Sequence, residues 1–219
     1  VRRLLVAAVL LVASPALSRA ASTVACHCYK DRTFDPGRPA AADPYVLATT
    51  RSSLLSAAYG ASKAALVRAV MSGTSPDALW IAYWVSGRAD RSASALLDAA
   101  GAGQAWKDVL AGAEGLGPAF DAALARGASE SESELAALAV DDVLVARTGA
   151  DAAGVRALRV GKASSEEVIL ATVLGRKTGA PGPQLLERIR SGAATWGTLL
   201  AEAGLAPEAL DGLVRAGVR

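Results

Sequence analysis

The sequence predicts an all-α protein: two related halves of short helix-turn-helix units, arranged as a bundle or short α-solenoid, with an extended strap at the N-terminal side. Three observations predict it. From about Val46 onward, apolar residues recur at three- and four-residue spacing. Glycine, serine and proline punctuate these runs at short intervals, where helices start and stop. Hydrophobic residues make up 52% of the chain and aromatics only 5%, and the excess is largely alanine. That balance favours closely packed helices over sheets.

The first segment is of another kind. Arg2 and Arg3 precede an unbroken apolar stretch from Leu4 to Ala13, which Ser14 and Pro15 break. Ser18-Arg19-Ala20 then puts small residues at the two positions a signal peptidase reads. Residues 1–20 are therefore expected to be a secretory signal peptide, cut after Ala20, with the mature protein periplasmic or secreted. The stretch is too short to cross a bilayer as a mature helix, and no later run is longer, so no transmembrane span is expected in the mature protein. Lipid attachment at Cys26 is the weaker reading, because Thr23 stands where an aliphatic residue is wanted.

Charge narrows the partners. The chain holds 23 Lys+Arg and 21 Asp+Glu. Loss of Arg2, Arg3 and Arg19 leaves 20 basic against 21 acidic side chains, a balance of −1. A nucleic-acid partner, which calls for a basic face, is not expected.

Residues 21–45 contain both cysteines, the only histidine, and Pro36, Pro39 and Pro44. Proline at this density reads as an extended strap over Thr33 to Tyr45, lying on the helical body. The remainder divides into a first half at 46–116, a helical bridge at 117–141 and a second half at 142–219. Ser75-Pro76-Asp77 is a helix start: a capping serine, proline in the first turn, then an acid near the positive helix end. Ser131-Glu132-Ser133-Glu134 and Ser164-Ser165-Glu166-Glu167 fit a capping box. Gly117-Pro118 and Ala206-Pro207 mark further starts. Gly60, Gly73, Gly149, Gly161, Gly179, Gly192 and Gly204 mark helix ends. In the bridge, helices are expected from Pro118 to Arg126 and from Glu132 to Arg147.

The halves match in register. With Tyr59-Gly60-Ala61 laid over Thr148-Gly149-Ala150, Ser75 falls on Ser164, Leu96-Leu97 on Leu185-Leu186, Gly103 on Gly192 and Gly115-Leu116 on Gly204-Leu205. Trp106 meets Trp196 with a slip of one residue. A shorter period runs inside the second half, where Thr148-Gly149-Ala150 recurs as Thr178-Gly179-Ala180. The residues Thr148-Gly149, Val155, Leu158-Arg159, Gly161, Ser164 and Glu167-Val168-Ile169 carry a resemblance. So do Thr178-Gly179, Arg188-Ile189-Arg190-Ser191-Gly192, Thr195-Trp196-Gly197 and Gly204-Leu205. Together they resemble a short tandem helical repeat of exported bacterial proteins. The resemblance covers the last third well and the first half loosely. It implies the helical fold and no activity.

Cys26-His27-Cys28 concentrates the reactive side chains. Two thiols in an exported chain are expected to close a disulfide, locally or between chains. The same residues could instead ligate copper or zinc with help from outside ligands, or exchange a strained disulfide. No other cofactor is expected. Trp80, Tyr83 and Trp84 form a stripe at i, i+3 and i+4, read as core packing or a groove wall, and Trp106 and Trp196 follow helix starts in matching repeat positions. Glu130, Glu132 and Glu134 read as a solvated helix start, and Arg32 with Asp35 as a pin for the strap.

These features favour a non-enzymatic helical scaffold that binds a protein or peptide in the grooves between paired helices. A metal- or thiol-handling protein centred on Cys26, His27 and Cys28 is the alternative. A hydrolase with carboxylates in a cleft between the halves is a third.

Overall fold

The computed structural model describes residues 34–126 and 131–219. Among them every regular element is helical. Twelve α-helices follow in order: α1 (Asp43–Tyr59), α2 (Lys63–Met71), α3 (Pro76–Ser86), α4 (Ala93–Gly101), α5 (Trp106–Val109), α6 (Pro118–Arg126), α7 (Ser131–Thr148), α8 (Ala152–Val160), α9 (Ser165–Thr178), α10 (Gly182–Arg190), α11 (Trp196–Glu202) and α12 (Leu210–Gly217). Short 3-10 turns at Pro39–Ala42 and Pro207–Ala209 lead into α1 and α12. None of these helices is long and apolar enough to cross a membrane.

The starts and stops follow the local chemistry. The Ser75 hydroxyl accepts the N–H of Asp77 at 3.2 Å and opens α3. At α9 the capping box is complete: Ser164 Oγ accepts the N–H of Glu167 at 3.2 Å, and Glu167 Oε2 accepts that of Ser164 at 2.8 Å. Each such cap is worth about 1 kcal/mol. Gly60 and Gly149 close α1 and α7 in the left-handed conformation, at φ 67° and 65°. At the end of α8 the expectation needs adjustment. Gly161 stays right-handed, and Lys162 takes the positive φ of 57°.

The strap differs more. Residues 34–38 form coil and a turn, but Pro39–Ala42 is a 3-10 turn and α1 is under way from Asp43. Pro39 and Pro44 sit in first-turn positions, where a missing N–H breaks no bond. Their density marks two helical starts instead of an extended run. The Asp35 carboxylate accepts the N–H of Gly37 at 2.8 Å. Its suggested partner Arg32 lies outside the described residues, as do the signal segment, Cys26, His27, Cys28 and Glu130.

The element register repeats. Shifting the bounds of α2 and α4 by 89 residues gives those of α8 and α10, and the same shift carries the start of α3 onto α9 and Pro118 onto Pro207. α1 and α7 also end 89 residues apart, and α5 precedes α11 by 90. In this register α6 corresponds to α12, and α7 to α1. The segment read as a bridge therefore splits between the halves.

Packing crosses the halves reciprocally. α1 lies chiefly on α9 and α12, whereas its counterpart α7 lies chiefly on α3 and α6. Each half's first helix thus covers the other half's third and last helices. One continuous core results, running from Val46 and Leu54 in α1 through Trp80 and Ile81 to Leu144, Ile169 and Val214. The correspondence is one of partners and not of depth. Between α6 and α7, Arg126 pairs with Glu134. At α12, Arg215 reaches Ser56 at 3.3 Å and Asp211 meets Lys63 at 3.0 Å, so α12 sits further along α1.

Candidate functional site

Between α1, α2 and α3 the core opens into a cleft of about 140 Å³. Its walls are Leu47 and Leu55 from α1, Leu66 and Val70 from α2, and Leu79 and Trp80 from α3. From Ala78 to Val85 the mostly apolar α3 buries every side chain but that of Tyr83, which fixes Trp80 as a wall that is only 1% exposed. α2 packs principally on α1 and stands away from α3, which leaves the gap. The Met71 side chain stands at the mouth, half exposed.

The polar part of the cleft is Arg51, Ser52 and Glu166. Arg51 is largely buried and holds two acids: Asp77, by a short ion pair, and Glu166 at 3.5 Å. Asp77 and Glu166 lie in the first turns of α3 and α9, 89 residues apart in the chain. One guanidinium therefore joins equivalent points of the two halves. The cluster of two carboxylates on one cation carries net charge −1, and Arg51 and Glu166 are its members that line the cleft. Arg51 Nε and Trp80 Nε1 are buried donors that meet no acceptor among the described residues. A buried N–H without an acceptor costs about 1–3 kcal/mol.

A second hollow, of about 300 Å³, lies among the start of α8, the end of α9 and the start of α10. Its charged groups, Asp151 and Arg176, are already engaged. Asp151 accepts the N–H groups of Ala153 at 3.2 Å and Gly154 at 2.8 Å. Arg176 donates to the carbonyls of Thr148 and Gly217.

The remaining buried polar clusters join helices. Arg159 binds Asp141 through Nε and an amino nitrogen, at 3.0 and 2.7 Å. Burial raises the Asp141 carboxyl above its ordinary value, more than the facing Arg159 lowers it. Asp142 accepts the Trp84 indole N–H at 3.1 Å and pairs with Arg88, whose guanidinium lies over the Trp84 ring at 4.1 Å. Trp84 also stacks on Phe120. The Tyr59 hydroxyl is raised, burial outweighing the cations Arg88 and Arg147 nearby.

The aromatic residues singled out in the sequence divide between these roles. Trp80, Trp84, Trp106 and Trp196 are all buried, and Tyr83 is half-buried against Tyr59. Only Trp80 lines the cleft. Glu132 accepts from the Trp106 indole at 2.8 Å and from Ser75, so it ties α7 to the first half. Glu134 pairs with Arg126. Sequence reasoning missed Arg51, Asp77 and Glu166 as a group. The available signal was that both acids stand two residues after a capping serine in matching repeat positions. Among the described residues no cluster of three His, Cys, Asp or Glu side chains has the arrangement of a metal site. Comparison of the chain with protein families, with curated proteins and with solved structures finds no match.

Proposed function

We propose that this chain is an exported helical scaffold that binds another protein or peptide, and that the cleft between α1, α2 and α3 is where it does so. The observation that carries the reading is an open apolar recess of about 140 Å³ between three helices, with the ion pair of Arg51 and Glu166 at its edge. The recess is well below the 300–1,000 Å³ typical of sites that enclose a small molecule. It matches a single side chain presented by a partner, the way an anchor residue enters a helical groove. Export is supported by the positive start, the apolar stretch Leu4 to Ala13 and the small residues before Ala21.

The test is a peptide-display selection on residues 21–219, with the same chain carrying Val67→Arg as the counter-target. Val67 lines the cleft and is half-buried, so arginine there obstructs the recess from its α2 side. The expected result is enrichment of sequences sharing an aliphatic anchor that are not retained by V67R. Sequences that bind both chains equally, or no enrichment at all, reject the reading.

A further inference from the structure

The second half contains the same three-helix arrangement as the cleft, and there it is filled. Arg159 extends from α8 into the space among α7, α8 and α9. Its guanidinium meets the Asp141 carboxylate, the carbonyl of Ala137 at 3.4 Å, that of Ala163 at 3.2 Å and the Ser165 hydroxyl at 3.2 Å. In the register of 89 residues, Arg159 corresponds to Val70, Asp141 to Ser52, Ala137 to Ala48 and Ser165 to Pro76. All four counterparts line the open cleft. The first half therefore lacks the plug and its counter-ion together, at the positions where the second half has both. The helix packing agrees: α8 closes onto α9 and α10, whereas α2 is held principally by α1.

Resting on the binding-scaffold reading above, we infer that the cleft receives one aliphatic side chain of a partner peptide, with a basic residue beside it. The recess is lined by the counterparts of Arg159 and of three residues it meets in the other half. The chemistry is inverted. Val70 and Ser52 stand in place of an ion pair, so a cationic tip at that depth would be desolvated without the acid it meets in the other half, while a leucine-sized group gains by burial. The neighbouring basic residue follows from charge complementarity with the Arg51–Asp77–Glu166 cluster, which reaches the cleft through Arg51 and Glu166 and in which two acids outnumber one cation.

The test uses residues 21–219, labelled with ¹⁵N, and three capped octapeptides. One carries a central leucine flanked by lysines, one the same leucine flanked by glutamates, and one a central alanine flanked by lysines. The leucine–lysine peptide is expected to shift the Trp80 indole signal and the amides of α1, α2 and α3 saturably. Replacing its leucine by alanine should weaken binding at least about tenfold. Replacing lysine by glutamate should weaken it about three- to fivefold, a difference lost at high salt. The S52D/V70R chain rebuilds the plug found in the second half, and should fold and bind at least about tenfold more weakly. S52L, which only occupies part of the recess, is the second variant should the first not fold. Equal binding by the leucine and alanine peptides overturns the inference, as does unchanged binding by the filled variant that folds. Shifts confined to other helices overturn the cleft assignment while leaving a binding scaffold standing. Absence of any shift also overturns it, and the display selection then decides the broader reading separately.

Discussion

Asp43 accepts the backbone N–H of Gly197 at 2.8 Å, across 154 positions of chain. Its other oxygen accepts the N–H of Trp196 at 3.1 Å, so a residue at the start of α1 caps the first turn of α11. The position 89 residues on is Glu132, at the start of α7, and its carboxylate takes the indole N–H of Trp106 in α5. Both first helices therefore begin with an acid that latches onto the short tryptophan helix of the half they cover. This is the crossed packing of the fold repeated at the level of single hydrogen bonds.

Removing the latch should be felt globally, because α1 lies in the middle of the shared core. Asp43→Ala should cost about 1–2 kcal/mol, the range for lost helix caps, and lower Tm by about 2–8 °C in a chain of this size. Asp43→Asn keeps one acceptor oxygen and should fall between. Thermal unfolding followed by circular dichroism measures both. An unchanged midpoint for Asp43→Ala would mean that Thr195, which also caps α11, suffices alone.

Much of the fold was legible because it is written in local chemistry. Ser75, Ser164, Gly60 and Gly149 act through neighbours within a few positions, so their roles can be read from spacing alone. The strap misled because proline blocks helix interiors and equally favours helix starts. The environment of Asp43, not the count of prolines, decides between the two for Pro44. The crossed packing of α1 and α7 was not legible, since periodicity shows that a helix has an apolar face but not which half supplies the cover. The same limit hid Arg51. Its importance arises from two acids that are distant in sequence and meet only when the halves close on each other.

The ion pair of Asp141 and Arg159 gives a pH-dependent prediction. Both side chains are mostly buried, at 24% and 21% exposure. Arg159→Met would leave the carboxylate buried without its partner, which should cost about 1–3 kcal/mol at neutral pH, below the 3–5 kcal/mol of a fully buried broken pair. The Asp141 pKa is already raised in the folded state. A raised carboxyl binds its proton more tightly when folded, so its contribution favours folding at low pH and is lost as pH rises through the folded value. Loss of Arg159 should raise it further. The destabilisation of R159M should therefore shrink as pH is lowered from 7 towards 4.5, and D141L/R159M should be more stable than R159M at pH 7. Urea unfolding at the two pH values would show a constant difference if the pair were solvent-screened.

Asp211 runs in the opposite direction. Burial pushes its carboxyl up, but hydrogen bonds from Arg215 and Lys63 outweigh it and lower the carboxyl to about 2. A depressed carboxylate contributes stability that is fully present above its unfolded value, near 3.8, and is lost as pH falls through the folded value. Asp211 should thus supply part of the acid sensitivity between about pH 4 and pH 2. Asp211→Asn should be less stable than the parent at pH 6, with the gap closing towards pH 2. A gap that is equally wide at both ends would place the effect in packing of α12 on α1 instead of in its charge.

Gly197 is the most sterically constrained glycine among the described residues. A Cβ there would lie 1.8 Å from the carbonyl oxygen of Pro39 and 2.6 Å from its carbonyl carbon. The obstacle is backbone and cannot swing aside, so Gly197→Ala must push the Pro39–Ala42 turn away from α11 and stretch the Asp43 latch with it. The expected cost is about 2–4 kcal/mol, at the upper end for single substitutions. That cost should be non-additive with Asp43→Ala, because the two changes break one contact. Gly212, by contrast, has open space at its Cβ position, and Gly212→Ala within α12 should be neutral or stabilise by up to about 1 kcal/mol through helix propensity. Tm values for the two alanine variants and for D43A/G197A test the argument together. If G197A and G212A shift Tm alike, the close approach of Pro39 does not determine the glycine.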